Sequence, residues 1–159
     1  MTARTLKKIM GTLAILSLVF SCNKDKEAVD TEYPTIDITS ADAFPIQCSV
    51  LKRGESFVFS AEFHDNVALG SFSLDIHHNF DHHTHSTEVE ECDLGPIKTP
   101  DDPFLYIHAS DIQGTPKTYK ANMEIEVPAD IDPGDYHFMI RVTDQEGWQT
   151  MKGLSIKIQ

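Results

Sequence analysis

Apolar and polar side chains alternate with a period of two along most of the chain after residue 32, and no segment there keeps the 3.6-residue apolar period of an amphipathic helix. Each alternating segment has one apolar and one polar face, so each can cover one side of a shared core. The pattern predicts an all-β, antiparallel sandwich of about seven strands. The alternating segments are 35–38, 57–63, 72–77, 104–108, 121–127, 136–143 and 154–158.

Two segments resemble parts of immunoglobulin-like and cadherin-like bacterial modules. PADIDPGDY at 128–136, running into VTDQEG at 142–147, resembles their E–F corner and F strand, and FHDNVAL at 63–69 resembles their B-to-C passage. The resemblance implies that Tyr136 is a corner tyrosine whose hydroxyl bonds back to the upstream loop. The chain as a whole is similar to a Bacteroidetes lipoprotein family classed as domain of unknown function 4625. That family implies an immunoglobulin-like fold and an envelope address, without an activity.

The first 21 residues have the pattern of a secretory signal. Three basic residues and no acidic one precede an uncharged apolar run at 9–20, which is shorter than the about 20 residues of a transmembrane helix. The following VFSC at 19–22 resembles a bacterial lipobox, which implies cleavage before Cys22 and acylation of that cysteine. The alternative is an ordinary secretory signal that ends near a cysteine.

We therefore expect a signal peptide at 1–21, a lipidated cysteine with a flexible tether at 22–33, and an immunoglobulin-like domain at 34–159. The tether is polar, charged and without periodicity. Its charged start at 22–27 resembles the export signals of surface lipoproteins in Bacteroidetes. The expected partner of Cys22 is the lipid bilayer of the outer membrane, with the periplasmic or the surface face left open.

Two further cysteines, Cys48 and Cys92, form an even pair in an exported, oxidising compartment. A disulfide between them would close a loop of about 45 residues and stabilise the fold by about 3–4 kcal/mol. It would pin a mid-chain loop to the edge of the sandwich, away from the cysteine positions of antibody domains. The alternative is that one or both thiols join a metal site.

Five of the eight histidines lie between residues 77 and 85. Imidazole suits zinc, copper and nickel, and it is largely neutral near pH 7. Residues two apart in an extended chain face the same side, so His83 and His85 can reach one ion. His77, on the polar face of its strand, can supply a third nitrogen after the chain turns. This tract predicts a divalent transition-metal site that takes zinc or copper.

The candidate ligands beyond these three are His78, His82 and Asp81. Asp81 and Glu88 are carboxylates that would either bind the ion or orient the imidazole rings. The alternative is a solvated polar loop, and a further one is a pH-sensitive loop in which adjacent imidazolium groups repel one another. The isolated His64, His108 and His137 are expected to be surface or turn histidines, with His108 joining the cluster only if its segment packs beside it.

The charge balance and the absence of known catalytic motifs limit the functions that the sequence allows. With 13 basic and 25 acidic residues, the formal net charge is -12, which argues against a nucleic-acid partner. The sequence has no Gly-x-Ser-x-Gly elbow, phosphate-binding loop or dinucleotide fingerprint, so no enzyme is predicted. We expect an envelope-anchored, metal-binding module. The alternative is an interaction or adhesion module for an envelope protein or a glycan, and a metallohydrolase is a third hypothesis.

Overall fold

Residues 29–159 are the part of the chain that the computed structural model describes. The expected signal peptide, Cys22 and the tether up to residue 28 lie outside the described residues. Within 29–159, eight strands form, and no helix is long and apolar enough to cross a bilayer. The strands are β1 (Thr35–Asp37), β2 (Val50–Leu51), β3 (Ser56–His64), β4 (Leu69–His78), β5 (Tyr106–Asp111), β6 (Thr118–Glu126), β7 (Gly134–Asp144) and β8 (Gln149–Ile158).

The strands form two sheets, one in the order β1-β3-β6 and the other in the order β2-β8-β7-β4-β5. The chain passes from one sheet to the other between β3 and β4, and again between β6 and β7, as in an immunoglobulin-like sandwich. The predicted fold class is therefore confirmed. The prediction of a wholly antiparallel arrangement is wrong in one place, because β2 pairs with β8 in parallel. A two-residue strand is too short to show alternation, which is why β2 was not expected.

The core lies between the inner faces of the two sheets, and the alternation decides which residues enter it. Phe59 and Phe63 on β3 are fully buried, as are Phe138 and Ile140 on β7. The rings of Phe59 and Phe138 stack across the sandwich with centroids 5.6 Å apart. Burying a side chain of this size contributes about 1.5–3 kcal/mol. The alternation therefore gives β4, β7 and β8 one buried side and one outer side.

The fifth strand begins later than the alternation predicts. The expected strand at 104–108 is Tyr106–Asp111 in the structure. Phe104 is only 7% exposed, but it is buried in the loop before the strand. Its apolar side chain packs on the core without extending the ladder, so the pattern misplaced the boundary.

Tyr136 forms the predicted corner. Its hydroxyl donates to the carbonyl of Asp132 at 2.5 Å and accepts from the backbone N–H of Phe104 at 3.1 Å. The side chain is fully buried, and this burial raises the pKa of the Tyr136 hydroxyl, which keeps its proton for the first of these bonds. One hydroxyl thus satisfies two backbone groups from two loops.

The segment before β1 packs on the domain, contrary to the expected flexible tether through residue 33. Asp30 is 6% exposed, and its carbonyl accepts from the indole N–H of Trp148 at 3.0 Å. The ring of Tyr33 packs edge-on against Trp148, with centroids 5.0 Å apart. The charge of this segment and its lack of periodicity predicted a tether. A hydrophobic period does not reveal contacts between single residues such as these. Trp148 itself packs on the sandwich edge.

We predict that Tyr136→Phe lowers the free energy of unfolding by about 1–3 kcal/mol, because the buried N–H of Phe104 loses its acceptor. Urea denaturation measures this. Tyr119→Phe is the control, since the Tyr119 hydroxyl makes no hydrogen bond within residues 29–159. Equal stability of the two variants would contradict the role of the corner.

Candidate metal centre

A long connection between β4 and β5 crosses the outer face of the five-stranded sheet. We call its residues 82–93 the strap. The carbonyl of His83 accepts from the His137 side chain on β7, and the N–H of Thr87 donates to Gly153 on β8 at 2.8 Å. Further along, the disulfide to Cys48 reaches the region before β2. The strap therefore runs across the sheet, over β7 and β8, towards β2.

The strap is fastened by the predicted disulfide and by polar contacts. Cys48 and Cys92 are bonded, with Cα atoms 5.3 Å apart. The Gln47 amide donates to the carbonyl of Glu90 at 2.7 Å, and its oxygen accepts from the N–H of Ser155 at 2.9 Å. These contacts confirm that the disulfide pins the mid-chain loop to the sheet.

Four imidazole rings meet where the strap passes over β4 and β7. His77 lies directly opposite His137 in the β4–β7 ladder, on the outer face. The strap brings His83 and His85 over this pair. The ring centroids are 4.9 Å apart for His83–His85, 5.0 Å for His83–His137, 5.3 Å for His85–His137, 5.5 Å for His77–His137, 5.6 Å for His77–His85 and 5.7 Å for His77–His83.

Three of these histidines, His77, His83 and His85, direct nitrogen atoms towards a common point. One ring nitrogen from each lies within 4.8 Å of the others. A tetrahedral zinc ion with Zn–N bonds of about 2.0–2.1 Å holds its nitrogens about 3.4 Å apart. Small side-chain rotations, closing each gap by up to about 1.4 Å, would be enough to complete such a site.

Two carboxylates orient two of the rings. The Nδ1 atom of His77 is hydrogen-bonded to Asp75, and that of His83 to Asp81 at 2.5 Å. A carboxylate that accepts from Nδ1–H leaves the lone pair on Nε2, so that nitrogen can bind a metal. The hydrogen bond to His83 also holds the pKa of Asp81 below its usual value, so the acceptor stays ionised. Asp81 therefore makes the contact with the His83 ring that an orienting partner would make.

The sequence did not identify His137 as part of this cluster. It is 1% exposed, and its Nε2 atom donates to the carbonyl of His83 at 2.9 Å. That bond leaves Nδ1 unprotonated, and Nδ1 is buried without a hydrogen-bond partner among residues 29–159. Burial above all, and then the neighbouring histidines, lower the pKa of His137, although the bond to His83 opposes this, so the ring is neutral near pH 7.

The other candidate residues lie outside the cluster. The ring of His78 packs on Phe80 with centroids 5.0 Å apart, and the Nε2 atom of His82 lies 3.7 Å from the carboxylate of Asp135. Glu88 forms an ion pair with Lys152 at 2.8 Å. His78 follows His77 along the strand, so it faces the opposite side, and the positive φ at His82 turns the chain at the first residue of the strap.

An open groove of about 460 Å³ lies beside the cluster, between the strap and the sheet. His83 and His137 line one part of it, and Glu88, Glu90 and Glu91 line another. The acidic side chains give this approach to the histidines a negative potential, which favours cations over anions.

Comparison with known proteins gives a family match. A family model described as Domain of unknown function (DUF4625) matches residues 20–159. No curated protein matches the chain. Two similar solved structures are the SrpA adhesin R347E mutant from Streptococcus sanguinis (18% identity, TM-score 0.44) and the GspB Siglec domain (24% identity, TM-score 0.43). Each covers 82% of this chain, which spans 57% and 59% of theirs. TM-scores this low assign no ligand to this chain.

We predict that Gly153→Ala loosens the strap. A Cβ atom there would collide with the backbone carbonyl of His85, so the strap must shift. Hydrogen exchange of the Thr87 amide, which donates to Gly153, should become faster while the β3–β6 ladder keeps its protection. Met151→Ala, two residues earlier on the same face of β8, is the control. Unchanged exchange at Thr87 in Gly153→Ala would show that the strap does not depend on this contact.

Proposed function

We propose that this chain, which belongs to the DUF4625 family of unknown function, is a binding module that holds a divalent transition metal at His77, His83 and His85. His137 supplies the buried side of the site. We assign no reaction to it. The site lies on the outer face of the five-stranded sheet, where it is open to ions in the surrounding compartment.

The observation that supports this proposal is the convergence of three ring nitrogens, two of them backed by carboxylates. A solvated histidine loop has no physical reason to gather its rings, because nearby imidazolium groups repel one another when protonated. The Asp75–His77 and Asp81–His83 pairs reproduce the carboxylate–histidine arrangement found around metal ions. The strap is also hydrogen-bonded to the sheet at His83 and at Thr87, on either side of His85, which reduces the ordering cost of binding.

The ligand chemistry favours zinc or copper. Neutral imidazole is a borderline ligand that suits both ions, whereas calcium and magnesium prefer oxygen. Burial lowers the pKa of the His137 ring, so this member of the cluster is neutral near pH 7. Acidification would protonate the rings and release the ion.

The proposal also includes an anchor in the cell envelope. Its support is the sequence alone: the basic and apolar start of the chain and the lipobox-like residues before Cys22. Acylation at Cys22 would place the domain on an outer-membrane surface, where metal capture, delivery or a metal-bridged contact are the available uses.

An interaction module for an envelope protein or a glycan is the second candidate function. The supporting observation on this chain is β5, an edge strand of the larger sheet. Leu105, just before the strand, is 65% exposed, and Ile107 within it is 69% exposed. An exposed edge with apolar side chains can receive a further strand from a partner. In this case the histidine cluster would be incidental.

We expect untagged protein, equilibrated with zinc or copper and then desalted, to retain about one ion per chain. Replacement of His77, His83 and His85 together by alanine should abolish this retention, because it removes the converging nitrogens. Alanine at His64 and His108, which lie outside the cluster, is the matched control. Elemental analysis provides the count. Absence of bound metal at micromolar concentrations, or equal loss in both variants, would leave the interaction module as the better account.

We expect Asp75→Asn to weaken metal affinity by about 10- to 100-fold, because an amide is a poorer acceptor for the His77 Nδ1–H than a carboxylate. Competition with a chromophoric chelator measures this change. Asp111→Asn, an exposed substitution on β5, is the control for lost negative charge. Equal affinities of the two variants would exclude an orienting role for Asp75.

A further inference from the structure

A second group of possible metal ligands lies at the other end of the sandwich. It consists of Asp30 before β1, Asp65 between β3 and β4, and Asp144 at the end of β7. One carboxylate oxygen of each aspartate lies within 4.8 Å of those of the other two. Three separate parts of the chain thus bring three acidic groups to one point.

The carboxylates are buried, and each has an oxygen that the protein leaves without a partner. Asp30 is 6% exposed and Asp144 is 4% exposed. Oδ2 of Asp30, Oδ2 of Asp144 and Oδ1 of Asp65 are buried and make no hydrogen bond within residues 29–159. Buried polar atoms are nearly always satisfied, so an unsatisfied oxygen on each of three clustered aspartates points to a ligand.

The second oxygen of each carboxylate is held by N–H donors. Oδ1 of Asp30 accepts from the N–H of Glu32 and the amide of Asn66, both at 3.0 Å. Oδ2 of Asp65 accepts from the N–H groups of Val67 and Ala68. Oδ1 of Asp144 accepts from those of Gly147 and Trp148. Each side chain is therefore fixed in position while its other oxygen remains available.

The cluster also lacks a positive charge. No lysine, arginine or histidine in the described part of the chain forms an ion pair with Asp30, Asp65 or Asp144. Three carboxylates enclosed together repel one another, and each loses hydration on burial. A bound cation would offset both costs.

We propose that Asp30, Asp65 and Asp144 bind a calcium ion. Calcium takes oxygen ligands at about 2.3–2.6 Å, so two oxygens on opposite sides of one ion lie about 4.6–5.2 Å apart. Three carboxylate oxygens within 4.8 Å of one another can therefore reach the same calcium ion. Magnesium requires shorter, octahedral contacts, and zinc and copper prefer the imidazoles of the other site.

The calcium ion ties the start of the domain to the sandwich. The Asp30 carbonyl already accepts from Trp148, and Tyr33 packs on the same indole. The ion adds a bond from this segment to the β3–β4 loop and to the end of β7. It lies about 20–25 Å from the histidine cluster, because Asp144 is seven positions after His137 along β7. The two sites are therefore independent.

The test is calcium binding by the full chain purified in detergent, compared with Asp144→Asn. The asparagine keeps the oxygen that accepts from the N–H groups of Gly147 and Trp148, while an NH2 group replaces the free carboxylate oxygen. We expect calcium to raise the melting temperature of the wild type, with a Kd of about 10⁻⁴–10⁻³ M. Affinity should fall by about tenfold or more in Asp144→Asn and in the second variant, Asp65→Asn. Asp130→Asn, an exposed substitution, should behave as wild type.

Terbium luminescence gives a second readout. Terbium replaces calcium at oxygen sites, and Trp148, the single tryptophan of the chain, lies beside Asp30 and Asp144. Excitation of Trp148 should produce terbium emission that calcium displaces and that Asp144→Asn abolishes. The proposal is overturned if the melting temperature is the same in calcium and in chelator, or if Asp144→Asn stabilises the protein while calcium has no effect. The second result would identify an acidic cluster without an ion.

The two proposed sites can be tested independently of each other. The triple alanine variant at His77, His83 and His85 should keep its response to calcium, and Asp144→Asn should keep its zinc or copper. Loss of calcium binding in the histidine variant would contradict two independent sites.

Discussion

The burial of one face of β4 and β7 determines what the opposite face of these strands can do. Phe138 and Ile140 point into the core, so His137, between Tyr136 and Phe138, must point outwards. The same register places His77 opposite it. A slip of one residue would move an imidazole into an apolar core and expose aromatic rings. The core therefore holds the first two histidines of the cluster in place before the strap contributes anything.

The strap completes the site because it is fastened along its length. Hydrogen bonds to β7 and β8 hold its first part, and the disulfide holds its end next to β2. A free loop of this length would have to be ordered at the moment of metal binding, at a cost in affinity. Here most of that ordering accompanies folding. At the opposite end of the sandwich, Asp30 lies in a segment that the sequence predicted to be part of the tether, and it meets Asp65 and Asp144 there.

The sequence predicted what depends on local pattern and missed what depends on pairing. Period-two alternation located β3, β4, β6, β7 and β8, and the i, i+2 spacing brought His83 and His85 together. Alternation could not show that β7 is the neighbour of β4. For this reason the sequence predicted His137 to be an isolated histidine. Alternation also predicted its outward face, but the choice of neighbouring strand is a property of the topology.

The remaining misses have related causes. His78 and His82 were included because they lie next to the ligands in sequence, whereas strand alternation and a positive φ turn them away. The aspartate cluster joins residues more than 100 positions apart, and no spacing rule covers such a distance.

We propose that His77, His83 and His85 surround one metal ion. Anomalous diffraction from crystals grown with zinc, recorded on both sides of the zinc absorption edge, tests it most directly. We expect a single strong anomalous peak bonded to these three histidines, with Asp75 and Asp81 on the far sides of the His77 and His83 rings. A map without a peak there, with the rings directed apart, would contradict it.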